Sequence, residues 1–268
     1  MVKLKTGEEL MQALTHLPPY QEGVEDAGER LLRLGDLYQI YIPSKMTVEI
    51  YNKLYMAMIQ SIEKKTTRDA VIQRNLNYQR IENGIIGGSD SFTVIGNSGL
   101  GKSSAVFSSM RVLEAEKIIE LEKPFMRVVP ILTVQCPFDC SVKSLLIAIL
   151  KSLEDKLGGD FLDKVLKTRA TTDYLISMVS QCCLNHVGVL VVDEIQNVVT
   201  QRSGNNLVGC LTQLINSSGI SIAMVGTPEV SLYFEQKMQL ARRTLGLRYD
   251  VLEFDDYFKD FCRVVFRY

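Results

Sequence analysis

The sequence predicts an α/β fold, a parallel sheet covered by helices on both faces to make three layers. Three observations carry that prediction. From residue 91 onward, short apolar runs (91–95, 127–135, 188–192 and 220–225) alternate with longer amphipathic segments (102–116, 141–157, 160–168, 172–186 and 205–217). Such alternation describes strands buried on both faces and joined through helices. Gly96-Asn97-Ser98-Gly99-Leu100-Gly101-Lys102-Ser103 fits G-x-x-x-x-G-K-[ST], a phosphate-binding loop (Walker A), and stands between the first such strand and the first such helix. Val189-Leu190-Val191-Val192 leads into Asp193-Glu194, a buried strand that delivers two carboxylates to its exposed end (Walker B). Ligands of parallel sheets bind at the carboxyl ends of strands, where both motifs fall.

The elements follow in order. Residues 1–45 form a mixed leader. Glu8 to Leu14 makes a short helix that Pro18-Pro19 breaks. Gly23 to Leu37 is a second helix with Val24, Ala27, Leu31, Leu34 and Leu37 apolar; Tyr38 to Ile42 is extended and ends at Pro43. Val48 to Glu63 is a stronger helix, with Ile50, Leu54, Tyr55, Met58, Ile59 and Ile62 on one side. This stripe reads as core and as a candidate wall of an adenine pocket. Lys64 to Arg68 reads as a solvated basic helix end. Arg74 to Gly88 is polar and closes on a Gly-rich bend that enters the nucleotide-binding core.

Composition narrows the function classes. With 268 residues and 46% hydrophobic content, the chain buries a sizeable core. A net charge of −1 announces no nucleic-acid binding in bulk, so any DNA contact comes from a local patch or from many copies. The six cysteines include no C-x-x-C, and only His16 and His186 accompany them, which argues against a zinc site or a disulfide framework. Cys182 and Cys183 read as small core residues. The first residues lack a signal-peptide apolar region, and no run approaches the ~20 apolar residues that span a bilayer. The expected location is cytoplasmic, with no membrane partner.

Each site residue has a chemical reason. Gly96, Gly99 and Gly101 let backbone N–H groups, with those of Asn97, Ser98, Leu100 and Ser104, converge on phosphate at a helix N-terminus. Lys102 reaches the β- and γ-phosphates, and the Ser103 hydroxyl and Asp193 hold Mg²⁺. Glu194 is placed to polarise the water that attacks the γ-phosphate. Thr227, at the end of Ile220–Val225, stands where loss of that phosphate is sensed. Arg242 and Arg243 are candidates for a finger reaching the ATP of a neighbouring subunit. The expected cofactors are ATP and Mg²⁺, and the expected activity is ATP hydrolysis.

Gly188 to Asn197 with its Asp-Glu-Ile-Gln run, Arg202-Ser-Gly204, Met224 to Glu229 and Leu240 to Arg243 together resemble the TnsC/TniB family, AAA+ ATPases that regulate DNA transposition. Ala13 to Gln21 resembles the Leu-Pro-Pro leader of TnsC-type members. The resemblance implies a P-loop AAA+ (RecA-like) core at 89–254 and a helical N-terminal extension at 1–88 that packs on the core and its adenine side; the sequence departs from the family in its lid, of which only the start is expected, at 255–268, the rest being largely absent. It implies homo-oligomers, rings or filaments, on double-stranded DNA, linking a target selector (TniQ- or TnsD-like) to a transposase, with hydrolysis remodelling the assembly. Carried onto this chain, the ATP site is Lys102, Ser103, Asp193, Glu194 and Thr227. The finger is Arg243, with Arg242 second. DNA contacts fall on Lys143, with Lys167, Arg169 and Thr171 weaker; Lys143 reads equally as a solvated lysine at a helix start. Two alternatives remain open: an initiator-like AAA+ or signalling ATPase with another partner, and an ATP-bound scaffold with negligible turnover.

Overall fold

A computed structural model describes residues 3–19, 23, 26–67, 91–113, 118–122, 125–162, 171–236 and 245–267. Its described strands are β1 (Phe92–Gly96), β2 (Ile119–Glu122), β3 (Phe125–Gln135), β4 (Val187–Asp193), β5 (Ser221–Gly226) and β6 (Leu245–Tyr249), in the spatial order β2-β3-β4-β5-β1-β6. All pairings are parallel except β2 with β3, an antiparallel pair at one edge. β5 lies between β1 and β4, in register Ile95↔Gly226 and Val192↔Met224. The phosphate loop and the acidic pair therefore leave the same end of the sheet one strand apart.

The described helices are α1 (Gly7–Leu14), α2 (Ala27–Arg33), α3 (Lys45–Lys65), α4 (Lys102–Leu113), α5 (Val142–Leu157), α6 (Thr172–His186), α7 (Asn197–Thr200), α8 (Gly204–Ser218), α9 (Glu229–Gln236) and α10 (Asp256–Val265). Strand side chains alternate between faces, and here both faces are dry. Leu190 and Val192 pack with Leu146 and Leu150 of α5, Val179 and Cys183 of α6 and Leu211 of α8. Val189 and Val191 pack with Leu54 and Met58 of α3, Val106 and Met110 of α4, and Leu10 and Leu14 of α1. These are the three layers that the sequence predicts. Cys182, Cys183 and Cys210 are buried core residues.

The leader departs from the expected pattern. The second helix begins at Ala27, because the Asp26 carboxylate caps it by accepting from Glu29 N at 2.8 Å. It gives way to a 3₁₀ turn over Leu34–Gln39, so Tyr38 is not extended; Tyr41 alone pairs, with His16. Leu31 and Leu34 are exposed rather than core. α3 starts at Lys45 behind a reciprocal cap between Ser44 and Thr47. Its end is solvated at Glu63, Thr66 and Thr67, but not at Lys65. Lys65 is 2% exposed and donates to the carbonyls of Cys183 (2.7 Å) and Leu184 (2.8 Å) at the end of α6. A cation there meets both the negative end of the helix and two late carbonyls. The helix expected at 160–168 is described only at Phe161 and Leu162, and the segment read as helical at 240–244 lies outside the described residues.

Candidate nucleotide site

The phosphate loop turns between β1 and α4. Gly99 (φ 84°) and Gly101 (φ 81°) adopt left-handed backbone that a Cβ disfavours, which lets the loop curl in front of the α4 N-terminus. Lys102 is the first residue of α4 and is buried, and Nζ donates to the carbonyls of Gly96 and Asn97, both at 2.8 Å. Burial pulls its pKa below the usual lysine range, while Asp193, Glu194 and Glu229 oppose that shift. Leu100 packs back toward Gly96, and Asn97 Nδ2 ties the loop to Asp250 O at 2.6 Å.

Across the cleft, Ser103 Oγ donates to Asp193 Oδ2 at 2.8 Å, and Asp193 Oδ1 accepts from Glu194 N at 2.8 Å. A hydroxyl and a carboxylate this close are the hard oxygen ligands that Mg²⁺ takes when phosphates supply the rest of its shell. The donor set fits the ion. Glu194 is exposed, has left-handed backbone (φ 57°), and borders one cavity with Ser98, Ser104, Thr227 and Gln196. Thr227 hydrogen-bonds the Glu229 carboxylate, which holds that acid below its usual range. The chain thus brings Lys102, Ser103, Asp193, Glu194 and Thr227 together.

A second groove adjoins the loop at Asp250. It is lined by the first turn of α3 (Lys45, Met46, Glu49), by Arg248 and Tyr249 of β6, and by Leu252 and Tyr257 beyond it. Tyr249 donates to Glu49 Oε2 at 2.7 Å and Tyr257 to Ile42 O at 2.9 Å. Only the start of α3 faces this groove; Met58 of the expected adenine wall is core.

The remaining candidates divide. Lys143 is exposed in the first turn of α5, whose cap is Ser141. Thr171 caps α6, its side chain accepting from Tyr174 N at 3.3 Å, so it has a structural duty. Both helix starts lie at the end of the sheet that carries the cavity, since α5 leaves the end of β3 and α6 runs directly into β4. Lys167, Arg169, Arg242 and Arg243 lie outside the described residues. In the sequence Gln196 stands out only as part of a family signature; in the fold it lines the cavity and bonds Glu194. Among the described residues no helix is long and apolar enough to cross a membrane, and no cluster of three acids, cysteines or histidines is set to hold a metal.

A phosphate loop opposite an acidic strand end, on a parallel sheet with one strand between them, defines a P-loop ATPase. Residues 86–249, more than half of the chain, match the family of the bacterial TniB protein; the chain belongs to this family of transposition-associated AAA+ ATPases. No curated protein matches it. Among solved structures it is similar to the Aeropyrum pernix ORC1 protein in complex with DNA, at 14% identity and TM-score 0.48, over 76% of this chain and 49% of that one. It is also similar to Drosophila ORC bound to poly(dA/dT) DNA and Cdc6, at 9% identity and TM-score 0.36, over 94% of this chain and 38% of that one. The chain therefore spans about half the length of the first and less of the second.

Proposed function

We propose that this protein is an ATP-dependent regulator of DNA transposition. It binds ATP–Mg²⁺, oligomerises on double-stranded DNA, links a target selector to a transposase and hydrolyses ATP to remodel the assembly. The observation that carries this reading is the convergence of Lys102, Ser103, Asp193, Glu194 and Thr227 on one cavity in a member of the TniB family. Lys102 gives up its contacts with the loop carbonyls for phosphate oxygens. Ser103 and Asp193 hold Mg²⁺, which when bound neutralises phosphate charge. Glu194 polarises the attacking water, and Thr227 faces the terminal phosphate. The groove beside Tyr249 takes the base and ribose. Arg243 or Arg242 reaches a neighbour's ATP.

In this reading residues 1–88 are an extension, 89–254 the ATPase core and 255–268 the start of a lid. Packing of α1 and α3 on the sheet supports placing the extension against the core. Lys143, exposed at the end of the sheet that carries the cavity, contacts DNA phosphate. Such contacts position a protein without reading sequence. The test is Glu194→Gln. The variant binds ATP with unchanged affinity and loses turnover; turnover at the parent rate would remove Glu194 from its role and favour the scaffold reading.

A further inference from the structure

β4 ends on Asp193, and the chain turns through Glu194-Ile195-Gln196 into α7. That turn is tied to both neighbouring strands. Ile195 N donates to Val225 O at 3.0 Å, Asn197 Nδ2 to Cys136 O at 3.1 Å, and Cys136 N to Asp193 O at 2.8 Å. Glu194 holds left-handed backbone, a conformation that costs a residue with a Cβ and that persists where the surroundings enforce it. Its exposed carboxylate has a long, free side chain behind it. One side chain pins it: Gln196 Nε2 donates to Glu194 Oε2.

The other amide atom, Gln196 Oε1, is buried and has no hydrogen-bond partner among the described residues. The amide cannot turn over to relieve this. An ionised carboxylate only accepts, so a reversed amide would set two acceptors against each other. Giving Glu194 a donor therefore leaves Oε1 unpaired against the cavity wall. The wall is shaped for it. A Cβ on Gly226 would lie 2.9 Å from Gln196 Oε1 and 2.8 Å from Ile195 Cγ2, so glycine at this position leaves room for the amide. Buried acceptors without a protein partner are uncommon, and here the glycine at 226 and the bond to Glu194 together account for where this one sits.

We propose that Gln196 is a positioning residue for hydrolysis: its amide holds the Glu194 carboxylate in one orientation at the phosphate cavity, and Gly226 provides the space. The inference rests on Glu194 as the water-polarising acid. A free carboxylate samples orientations of which few face the reacting phosphate, and a misplacement of about 1 Å costs on the order of 100-fold in rate.

The experiment is single-turnover and steady-state ATP hydrolysis by the full chain carrying Gln196→Met, which keeps length and volume but has no donor. Gln196→Glu, which sets a like charge against the carboxylate, is its companion. Both lower kcat by roughly 10- to 100-fold, while the Kd for a fluorescent ATP analogue stays within about twofold, which also shows that the variants fold. In a Glu194→Gln background, read on the residual single-turnover rate that this variant keeps, Gln196→Met causes no further fall. Parent kcat in Gln196→Met overturns the inference, and so does an equal fall in both backgrounds or a loss explained by ATP affinity alone. Parent turnover in Glu194→Gln by itself overturns the assignment of Glu194, a separate and distinguishable failure.

Discussion

Lys65 is the residue whose replacement tests the packing most sharply. The substitution is Lys65→Met, close in length and apolar. In the parent, the ammonium is 2% exposed and donates to Cys183 O and Leu184 O. Cys183 O also accepts from Val187 N, so it keeps a partner in the variant, whereas Leu184 O loses its contact with Lys65 in a dry environment. Losing two hydrogen bonds from a charged donor costs about 1.5–3 kcal/mol each. Relief of burying an ammonium returns part of that. The net loss is about 2–4 kcal/mol. At about 2–4 °C per kcal/mol for a chain of this size, Tm falls by roughly 5–15 °C. Urea unfolding followed by circular dichroism measures the free energy, and a thermal scan measures Tm. A loss below about 1 kcal/mol would refute the claim that Lys65 clamps α3 to the end of α6. ATP affinity at 25 °C stays unchanged, since the clamp lies at the end of the sheet away from the phosphate loop.

Lys102→Ala weakens ATP binding by about 100- to 10,000-fold in a titration with a fluorescent analogue, because two charge-assisted contacts are worth about 1.5–3 kcal/mol each; unchanged affinity would remove the phosphate-loop reading. Lys143→Ala lowers affinity for a random duplex and reduces the slope of log K against log salt by about 0.9. An unchanged slope returns Lys143 to solvent. In the native protein Cys262, half-exposed on α10, alkylates first at pH 8. Cys136, Cys183 and Cys210, their thiols pushed up to about 12 by burial, react only on unfolding; fast labelling of Cys183, followed by peptide mass spectrometry, would contradict the core described here.

The elements that line the cavity are legible because their residue types leave local marks. The glycines of the loop, Lys102-Ser103, and four apolar residues ahead of Asp193-Glu194 each place a strand end without any knowledge of neighbours. β2 and β6 were not legible. Ile119-Glu-Leu-Glu122 alternates only over four residues, and pairing with β3 at the sheet edge is what makes it a strand. Leu245–Tyr249 is short and contains a glycine, and β1 supplies its hydrogen-bonding partner. The burial of Lys65 is hidden in the sequence for a related reason. Two lysines at a helix end look solvated, and only the end of α6, more than a hundred residues later, tells them apart. Gln196 lay in plain view within Asp-Glu-Ile-Gln, yet its bond to Glu194 depends on the turn after β4 and on the space at Gly226. In the leader, the apolar spacing of Leu31 and Leu34 suggested a buried face where the fold presents an exposed one.

The central claim is that ATP occupancy of the cavity between Lys102 and Asp193 decides assembly on DNA. Electron microscopy of the protein with a non-hydrolysable ATP analogue, with and without duplex DNA, tests it most directly. Rings or filaments are expected when both are present, and none with Lys102→Ala. Particles that stay monomeric with both, or that assemble equally without nucleotide, would contradict it.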